Sequence, residues 1–170
     1  MHIEKTKLKD LIILKSEVYK DNRGFFKEIK KKKILKKNLV FDCLSHSKKN
    51  TIRGLHFQTK NPQGKFITVV HGEILDVAVD LRKNSKTFGK WYGEKLTEIN
   101  RKMMYVPKGF AHGYISLESN SEIIYLVSNY YSPKSEKTLL WNDPDLAIKW
   151  PIKPIVISKK DLGGIKLKNI

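Results

Sequence analysis

The sequence predicts an all-β protein in which short antiparallel strands form a sandwich or a barrel. The segment from Glu73 to Leu81 alternates strictly between apolar and mixed faces, as a strand does. Three later apolar runs are each bounded by Pro, Gly, Asn or Ser, and helical periodicity is scarce. A length of 170 residues fits one domain, and no composition break divides the chain. We therefore expect a single domain over residues 1–170.

The predicted elements follow in chain order. The best helix candidate is the basic stretch from Lys27 to Lys37, which has few apolar residues and is therefore placed on the surface. The first strand candidate is the apolar run from Lys65 to Val70, which the turn His71-Gly72 separates from the alternating segment. The three later strand candidates are Met103 to Val106, Tyr114 to Leu117 and Glu122 to Tyr131.

The alternating segment has two carboxylates on one of its faces. Leu75, Val77, Val79 and Leu81 form the aliphatic face, and Ile74, Asp76, Ala78 and Asp80 form the other. A small barrel that holds a ligand lines part of its interior with polar side chains, so Asp76 and Asp80 are candidates for such a lining. The alternative is that this face is exposed to solvent.

The charge balance favours an anionic partner or a solvated lysine surface. The chain has 34 basic and 17 acidic residues, which gives a formal net charge of +17. Only four of the basic residues are arginines, and two of these, Arg23 and Arg53, directly precede glycine. The planar guanidinium binds phosphate through two hydrogen bonds, which lysine cannot do. A phosphorylated small molecule is therefore a candidate ligand.

Several classes of protein lose support from the composition. The chain has no apolar stretch long enough to span a membrane and no signal peptide at its start, so we expect a soluble, cytoplasmic protein with no membrane partner. Cys43 is the only cysteine, which excludes an internal disulfide and a cysteine-built zinc site. The chain has no nucleophile elbow, Walker loop or dinucleotide fingerprint.

The histidines favour proton transfer over metal binding. A metal-binding barrel usually supplies two ligands as His-x-His, but His56 is followed by Phe57 and Gln58, and His112 stands alone. No metal is therefore expected. Imidazole with an unperturbed pKa near neutrality can act as a base at physiological pH, so isolated histidines are candidates for acid–base catalysis.

A series of motifs makes the chain similar to a known family. The motifs are Asp21-Asn22-Arg23-Gly24-Phe25-Phe26 with Glu28, Arg53-Gly54-Leu55-His56-Phe57-Gln58, Gln63-Gly64-Lys65, Asp76 to Arg82, Pro107 to Gly113, Asn129 to Pro133, and Trp141 to Pro144. In this order and spacing, over about Leu11 to Asp161, they resemble the dTDP-4-dehydrorhamnose 3,5-epimerase family. The resemblance implies a cupin-type jelly-roll barrel with a few short peripheral helices, no cofactor, and a homodimer that acts on a nucleotide-diphosphate sugar.

The resemblance also implies an isomerase reaction. Enzymes of this family invert C3, C5 or both in a nucleotide-linked 4-keto-6-deoxyhexose, by removing a proton beside the ketone and returning one to the opposite face. The implied base is His56, which Asp161 orients, and the implied proton donor is Tyr125. Lys65 is the implied donor to the negative ketone oxygen. The implied substrate contacts are Arg53, His112, Tyr131, Glu136 and Lys160, together with Arg23 and Glu28, which a neighbouring subunit can supply.

One segment departs from the family pattern. The family usually has Gln-Asp-Asn-x-Ser-x-Ser before the Arg-Gly-Leu-His motif, and this chain has Phe41 and Cys43 in place of the two amides. The loss of these hydrogen-bonding groups can change substrate discrimination by orders of magnitude. A GDP-linked 4-keto heptose, another non-rhamnose sugar, or inversion at C3 only is therefore the alternative within this class.

Two other classes of function stay open from the residues alone. The stretch from Lys27 to Lys37 could bind nucleic acid through phosphate neutralisation, but it lacks interleaved aromatic residues. We therefore expect no nucleic-acid partner. The second class is a metal-dependent cupin, which would need a third protein ligand beside His56 and His112.

Overall fold

The structure of the protein, a computed structural model, describes all 170 residues. The strands are β1 (His2–Lys5), β2 (Ile12–Lys15), β3 (Val18–Asp21), β4 (Gly24–Lys27), β5 (Phe41–Ser47), β6 (Ile52–Gln58), β7 (Lys65–His71), β8 (Glu73–Asp80), β9 (Trp91–Thr97), β10 (Lys102–Val106), β11 (Phe110–Ser116), β12 (Ser121–Val127) and β13 (Glu136–Thr138). One short helix, α1 (Lys159–Leu162), and a 3₁₀ turn (Leu167–Asn169) follow near the C-terminal end. No helix is long and apolar enough to cross a membrane.

Two antiparallel sheets form the fold. The six-stranded sheet has the order β1-β2-β10-β7-β12-β5, and the five-stranded sheet has the order β13-β6-β11-β8-β9. Strands β3 and β4 form a separate two-stranded hairpin. The prediction of an all-β antiparallel protein with few short helices is therefore confirmed, and the five strand candidates after Gly64 correspond to β7, β8, β10, β11 and β12.

The largest apolar core contains side chains of both sheets. Strand β8 contributes Ile74 and Ala78 to this core, whereas Val77 and Val79 on its other face pack beneath the C-terminal segment. Both faces of β8 are thus buried. Asp76 and Asp80 have 0% exposure, so the solvent-exposed alternative for their face is wrong.

The two buried carboxylates of β8 have different partners. Asp80 accepts hydrogen bonds from Arg82, Ser85 and Thr87, at distances between 2.6 and 3.0 Å, and so fixes the connection to β9. Burial alone would raise the pKa of the Asp80 carboxyl, but these hydrogen bonds outweigh burial and lower the pKa. In contrast to the prediction, neither Asp80 nor Asp76 lines either of the two cavities that contain His56 and His112. Asp76 instead contacts the side chain of His112.

The predicted helix from Lys27 to Lys37 is wrong. Lys27 ends β4, and the rest is a turn in which the backbone nitrogens of Ile34 and Leu35 both donate to the carbonyl of Lys31, each at 2.9 Å. Apolar residues in this stretch do not recur at helical spacing, and its lysines would repel one another on a helix. Leu35, only 2% exposed, anchors the stretch in the core beside β10, so the segment is not entirely superficial.

Candidate active site

Two histidines meet at the pairing of β6 with β11. His56 and His112 lie opposite each other in the antiparallel register, so their side chains project to the same face. Both line two adjoining cavities of about 310 and 290 Å³. The two cavities share Gln63, Lys65 and Glu136 as well, so they form one continuous site.

Two glycines allow these strands to approach closely. A Cβ at Gly113 would lie 2.4 Å from the carbonyl oxygen of Arg53, and a Cβ at Gly54 would lie 2.6 Å from the carbonyl oxygen of His112. Gly54 also has a φ of +98°, which side chains disfavour. The glycine of each motif therefore sets the distance between the strands that carry the histidines.

Substitution of Gly113 by alanine is expected to destabilise the protein by about 1–3 kcal/mol, because the new Cβ collides with backbone that cannot move freely. For a chain of this size the melting temperature should fall by roughly 2–12 °C. Gly163→Ala is the matched control, since its Cβ would meet only an ordinary contact at 3.6 Å. A Gly113→Ala variant that melts no lower than this control would contradict the steric explanation.

His56 is paired with the buried carboxylate of Asp161. Its Nε2 lies 2.6 Å from Asp161 Oδ1. Asp161 is 3% exposed and belongs to α1. The side chain of the N-cap residue, Ser158, accepts a hydrogen bond from the backbone nitrogen of Asp161. Burial alone would raise the pKa of Asp161, but the hydrogen bond and the charge of His56 outweigh it and lower the pKa. An ionised carboxylate only accepts, so Nε2 carries the proton and Nδ1 can act as the base.

A second histidine–carboxylate pair lies beside the first. His112 Nε2 is 2.7 Å from Asp76 Oδ1, and both side chains are almost completely buried. The His112 ring meets the ring of Tyr125 edge-on, with 6.2 Å between their centroids. Asp76 thus orients His112 as Asp161 orients His56, and the partner of His112 could have been sought among the inward residues of β8.

Tyr125 faces His56 from the other sheet. It lies on β12 of the six-stranded sheet, lines the smaller cavity, and packs against the main core. Burial raises the pKa of the Tyr125 hydroxyl well above its ordinary value, so the group is protonated at neutral pH. The site therefore has the His56 imidazole on one side and a protonated hydroxyl on the other.

Lys65 begins β7 and lines both cavities. Burial lowers the pKa of its ammonium, and the charges of Glu136 and Asp76 act in the opposite direction. Lys65 forms no ion pair within 4.0 Å in the structure. Its ammonium is therefore free to bind an anionic atom in the cavity.

Glu136 is the centre of a polar cluster at the edge of the site. Glu136 accepts a hydrogen bond from Tyr131 at 2.7 Å and is ion-paired with Lys160. Burial alone would raise the pKa of Glu136, but Lys160 and Tyr131 outweigh it and lower the pKa. Tyr131 and Arg53 both line the smaller cavity, which is open at this side. The structure thus brings nine of the eleven expected residues to the cavities or into direct contact with a residue that lines them.

The other two expected residues lie elsewhere in this chain. Arg23, with a side chain 86% exposed, is paired with Asp21 on the hairpin of β3 and β4. Glu28 follows that hairpin and is ion-paired with Lys31 at 2.5 Å. Neither Arg23 nor Glu28 lines either cavity.

Part of the wall of the smaller cavity belongs to the segment that departs from the family pattern. Phe41 stacks on Tyr130, with 5.7 Å between ring centroids and 9° between ring planes. Phe41 and Cys43 both line the smaller cavity, and burial raises the pKa of the Cys43 thiol. This part of the wall is therefore apolar where amides would offer hydrogen bonds.

Tyr114 was not identified as a site residue from the sequence, although it lines the smaller cavity. It follows His112 by two residues on β11, so the alternation of a strand places both side chains on one face. This periodicity was the signal that could have found it. No three His, Cys, Asp or Glu side chains lie close enough together to hold a metal ion.

Comparison with known proteins agrees with this geometry. A family model described as dTDP-4-dehydrorhamnose 3,5-epimerase matches residues 5–169. The enzyme of that name from Salmonella typhimurium is 44% identical, over 96% of this chain and 94% of its own length. The one from Neisseria gonorrhoeae is 45% identical over 96% of this chain, which spans about half (52%) of that relative's length.

A solved structure extends the likeness to the fold. The crystal structure of dTDP-6-deoxy-D-glucose-3,5-epimerase from Legionella pneumophila in complex with dTDP-4-keto-L-rhamnose has a TM-score of 0.94. It is 40% identical in sequence, and the match covers 99% of this chain and 93% of that one. The cupin-type fold implied by the motifs is therefore confirmed. On the family model, the identities and the shared fold together, the chain belongs to the dTDP-4-dehydrorhamnose 3,5-epimerase family of isomerases.

Proposed function

We propose that this protein inverts C3 and C5 of dTDP-4-keto-6-deoxyglucose, giving the dTDP-4-keto-rhamnose sugar, without a cofactor. The single observation that carries the proposal is the His56–Asp161 pair facing the protonated Tyr125 hydroxyl across one cavity. Inversion beside a ketone needs a base on one face of the carbon and an acid on the other. The ketone itself acidifies the adjacent C–H bond, so the chemistry needs no added electron sink.

The reaction proceeds in two balanced proton transfers. His56 Nδ1 takes the proton of the carbon beside the ketone, and the C–H electrons move to form an enolate whose charge is on the ketone oxygen. The Lys65 ammonium stabilises that oxygen electrostatically. The Tyr125 hydroxyl then gives its proton to the opposite face of the carbon, the ketone reforms, and water restores the protonation of both side chains.

The remaining residues bind the substrate in this proposal. Arg53 at the open side of the smaller cavity has the planar guanidinium that suits a diphosphate. The exposed ring of Tyr131 offers a surface for stacking of the nucleotide base. His112, Glu136 and Lys160 are placed to contact the sugar and its nearest phosphate.

The test is solvent exchange followed by NMR. The protein is incubated in deuterated water with dTDP-4-keto-6-deoxyglucose and, in parallel, with GDP-linked 4-keto sugars that include a heptose. Deuterium at both C3 and C5 of the dTDP sugar, with formation of the inverted product, is the expected result. Absence of exchange with all of these sugars would remove the proposed function.

A second candidate keeps the chemistry and changes the substrate. The stacked Phe41–Tyr130 pair and Cys43 offer no amide to the ligand, and this observation favours a sugar or base that does not need those hydrogen bonds. A GDP-linked 4-keto heptose, another non-rhamnose sugar and inversion at C3 only are the forms of this candidate. Exchange that occurs only with a GDP sugar, or at one carbon, would select it over the dTDP substrate.

We also propose that the protein is a homodimer in which the hairpin of one subunit reaches the site of the other. The hairpin exposes Tyr19, Phe25 and Phe26, each more than half exposed, and it carries Arg23 away from the cavities of its own chain. Apolar patches of this kind mark association surfaces. A cytoplasmic location, and the absence of a nucleic-acid partner, stay predictions from the sequence.

Light scattering is expected to report a dimer, and Arg23→Ala is expected to raise KM about tenfold or more, because a charge-assisted contact to phosphate is lost. Lys20→Ala on the same hairpin is the control and should leave KM unchanged. A stable monomer with full activity would contradict both the dimer and the role of Arg23.

A further inference from the structure

A continuous chain of side-chain hydrogen bonds ends at the Tyr125 hydroxyl. Ser45 Oγ lies 3.1 Å from the Tyr125 oxygen and 3.1 Å from the Tyr114 oxygen. The Tyr114 oxygen lies 2.8 Å from Ser47 Oγ, and Arg53 Nε donates to Ser47 Oγ at 2.9 Å. The chain thus joins a permanent cation to the proposed acid through three hydroxyl groups.

The alternation of two strands places these groups on the inner surface. Ser45 and Ser47 are alternate residues of β5, in the same row as Cys43, which faces the smaller cavity. Tyr114 extends toward them from the other sheet and is 2% exposed, as is Ser47. The hydrogen-bond chain therefore crosses between the sheets, with Ser47 and Tyr114 buried in its middle and Ser45 half-buried.

The direction of every hydrogen bond follows from the guanidinium. Arginine only donates, so Ser47 Oγ accepts from Arg53. Ser47 has one other hydrogen-bond partner, and its buried proton is satisfied only if it is donated to the Tyr114 oxygen. By the same reasoning Tyr114 donates to Ser45, and Ser45 donates to the Tyr125 oxygen. Tyr125 is then the only hydroxyl of the hydrogen-bond chain that does not donate its proton to another member of that chain.

We propose that Arg53, Ser47, Tyr114 and Ser45 form a positioning chain that directs the Tyr125 proton into the cavity and stabilises the phenolate left after proton transfer. This inference rests on the proposed function. When the Tyr125 O–H bond breaks and the enolate carbon gains the proton, the phenolate oxygen keeps the electron pair. The Ser45 hydrogen bond then becomes charge-assisted, and the polarised chain spreads the charge toward Arg53. A proton from water restores the phenol.

The same chain connects substrate binding to the acid. Arg53 also donates to the carbonyl oxygen of His46 at 3.0 Å, so its guanidinium is held by two contacts at the mouth of the cavity. A residue that binds the diphosphate is therefore attached rigidly to the group that protonates the sugar. Ser45 and Tyr114 act through Tyr125 and do not themselves exchange protons with the substrate.

The test compares deuterium exchange with inversion in Ser45→Ala and Tyr114→Phe. His56 can exchange a substrate proton for deuterium and return it to the same face, whereas inversion needs Tyr125. Both variants are expected to lower the rate of inverted product by about 10- to 100-fold, the scale of one charge-assisted hydrogen bond. Deuterium exchange into recovered substrate should stay close to that of the wild type, and Ser45→Thr, which keeps the hydroxyl, should restore inversion.

The controls separate this role from a structural one. Ser121→Ala removes a buried hydroxyl from the same strand as Tyr125, but outside the chain, and should leave the ratio of inversion to exchange unchanged. Loss of exchange and inversion by the same factor in both chain variants would overturn the proposal, as would no loss of either. If the wild-type protein itself exchanges no proton, the proposed function has failed instead. Tyr114→Phe keeps the ring in the core, so the test stands even if Ser45→Ala folds poorly.

Discussion

Replacement of His56 by alanine is expected to abolish both deuterium exchange and turnover and to leave the fold intact. His56 lines both cavities, and its Nε2 is held by a buried carboxylate of α1, which leaves Nδ1 without a protein partner. Loss of a general base costs about 10²- to 10⁴-fold or more in rate. Exchange at C3 and C5 in deuterated water is the measurement.

Asp161→Asn tests the same pair from the other side. An amide can donate to His56 Nε2, which would place the proton on Nδ1 and leave the wrong nitrogen as the base. We expect a loss of rate on the order of 10⁴-fold with little change in KM. His71→Ala is the matched control, because His71 is also paired with a carboxylate, Glu98, but lines neither cavity. An active His56→Ala variant would exclude His56 as the base.

The strands that could be predicted are those whose pattern is local. β8 alternates visibly because its two faces meet different surroundings, one the interior of the sandwich and the other the C-terminal segment. The sequence does not predict strands β1 to β4, because each is only four residues long and too short to show a periodicity, and β1, β3 and β4 are also mostly exposed. The helix predicted for the basic stretch after β4 is wrong for a related reason. A run of charged residues has no hydrophobic periodicity that would identify a helix or a strand.

The site could be predicted only in part from the residues themselves. Isolated histidines suggested acid–base chemistry, but the pairing of His56 with Asp161 joins residues 105 positions apart, and no local pattern encodes it. Lys65 is one of 30 lysines, and only its burial and lack of an ion pair distinguish it. The family motifs supplied these residues, and the geometry now gives each of them a physical reason.

The hydroxyl chain shows what motifs leave out. Ser45 and Ser47 belong to the segment in which Phe41 and Cys43 replace the amides of the family pattern, and Tyr114 has the burial of an ordinary core aromatic. Their function is visible only when the partners from both sheets are placed together. The direction of the chain then depends on a chemical fact about arginine rather than on any sequence pattern.

Lys65→Met is also expected to have a large effect. The enolate places negative charge on one oxygen, and Lys65, unlike the exposed Lys83, is a buried cavity cation without an ion-pair partner, so its loss should lower kcat by about 10²- to 10³-fold. Methionine fills the same space without a charge, and removal of a buried, unpaired ammonium should leave the melting temperature unchanged or higher. Activity and stability should therefore move in opposite directions.

The pH dependence of kcat tests the role of Lys65 independently. Burial lowers the pKa of Lys65, so its ammonium loses its proton as the pH rises through a value below that of an ordinary lysine. Wild-type kcat is expected to fall on the alkaline side at that pH, because the neutral amine stabilises the enolate less, and this fall should be absent in Lys65→Met. Lys90→Met, at an exposed lysine that lines neither cavity, should keep the wild-type profile. A Lys65→Met variant with unchanged kcat would show that another donor holds the enolate oxygen, and the two arms of the pH experiment would then identify whether that donor titrates.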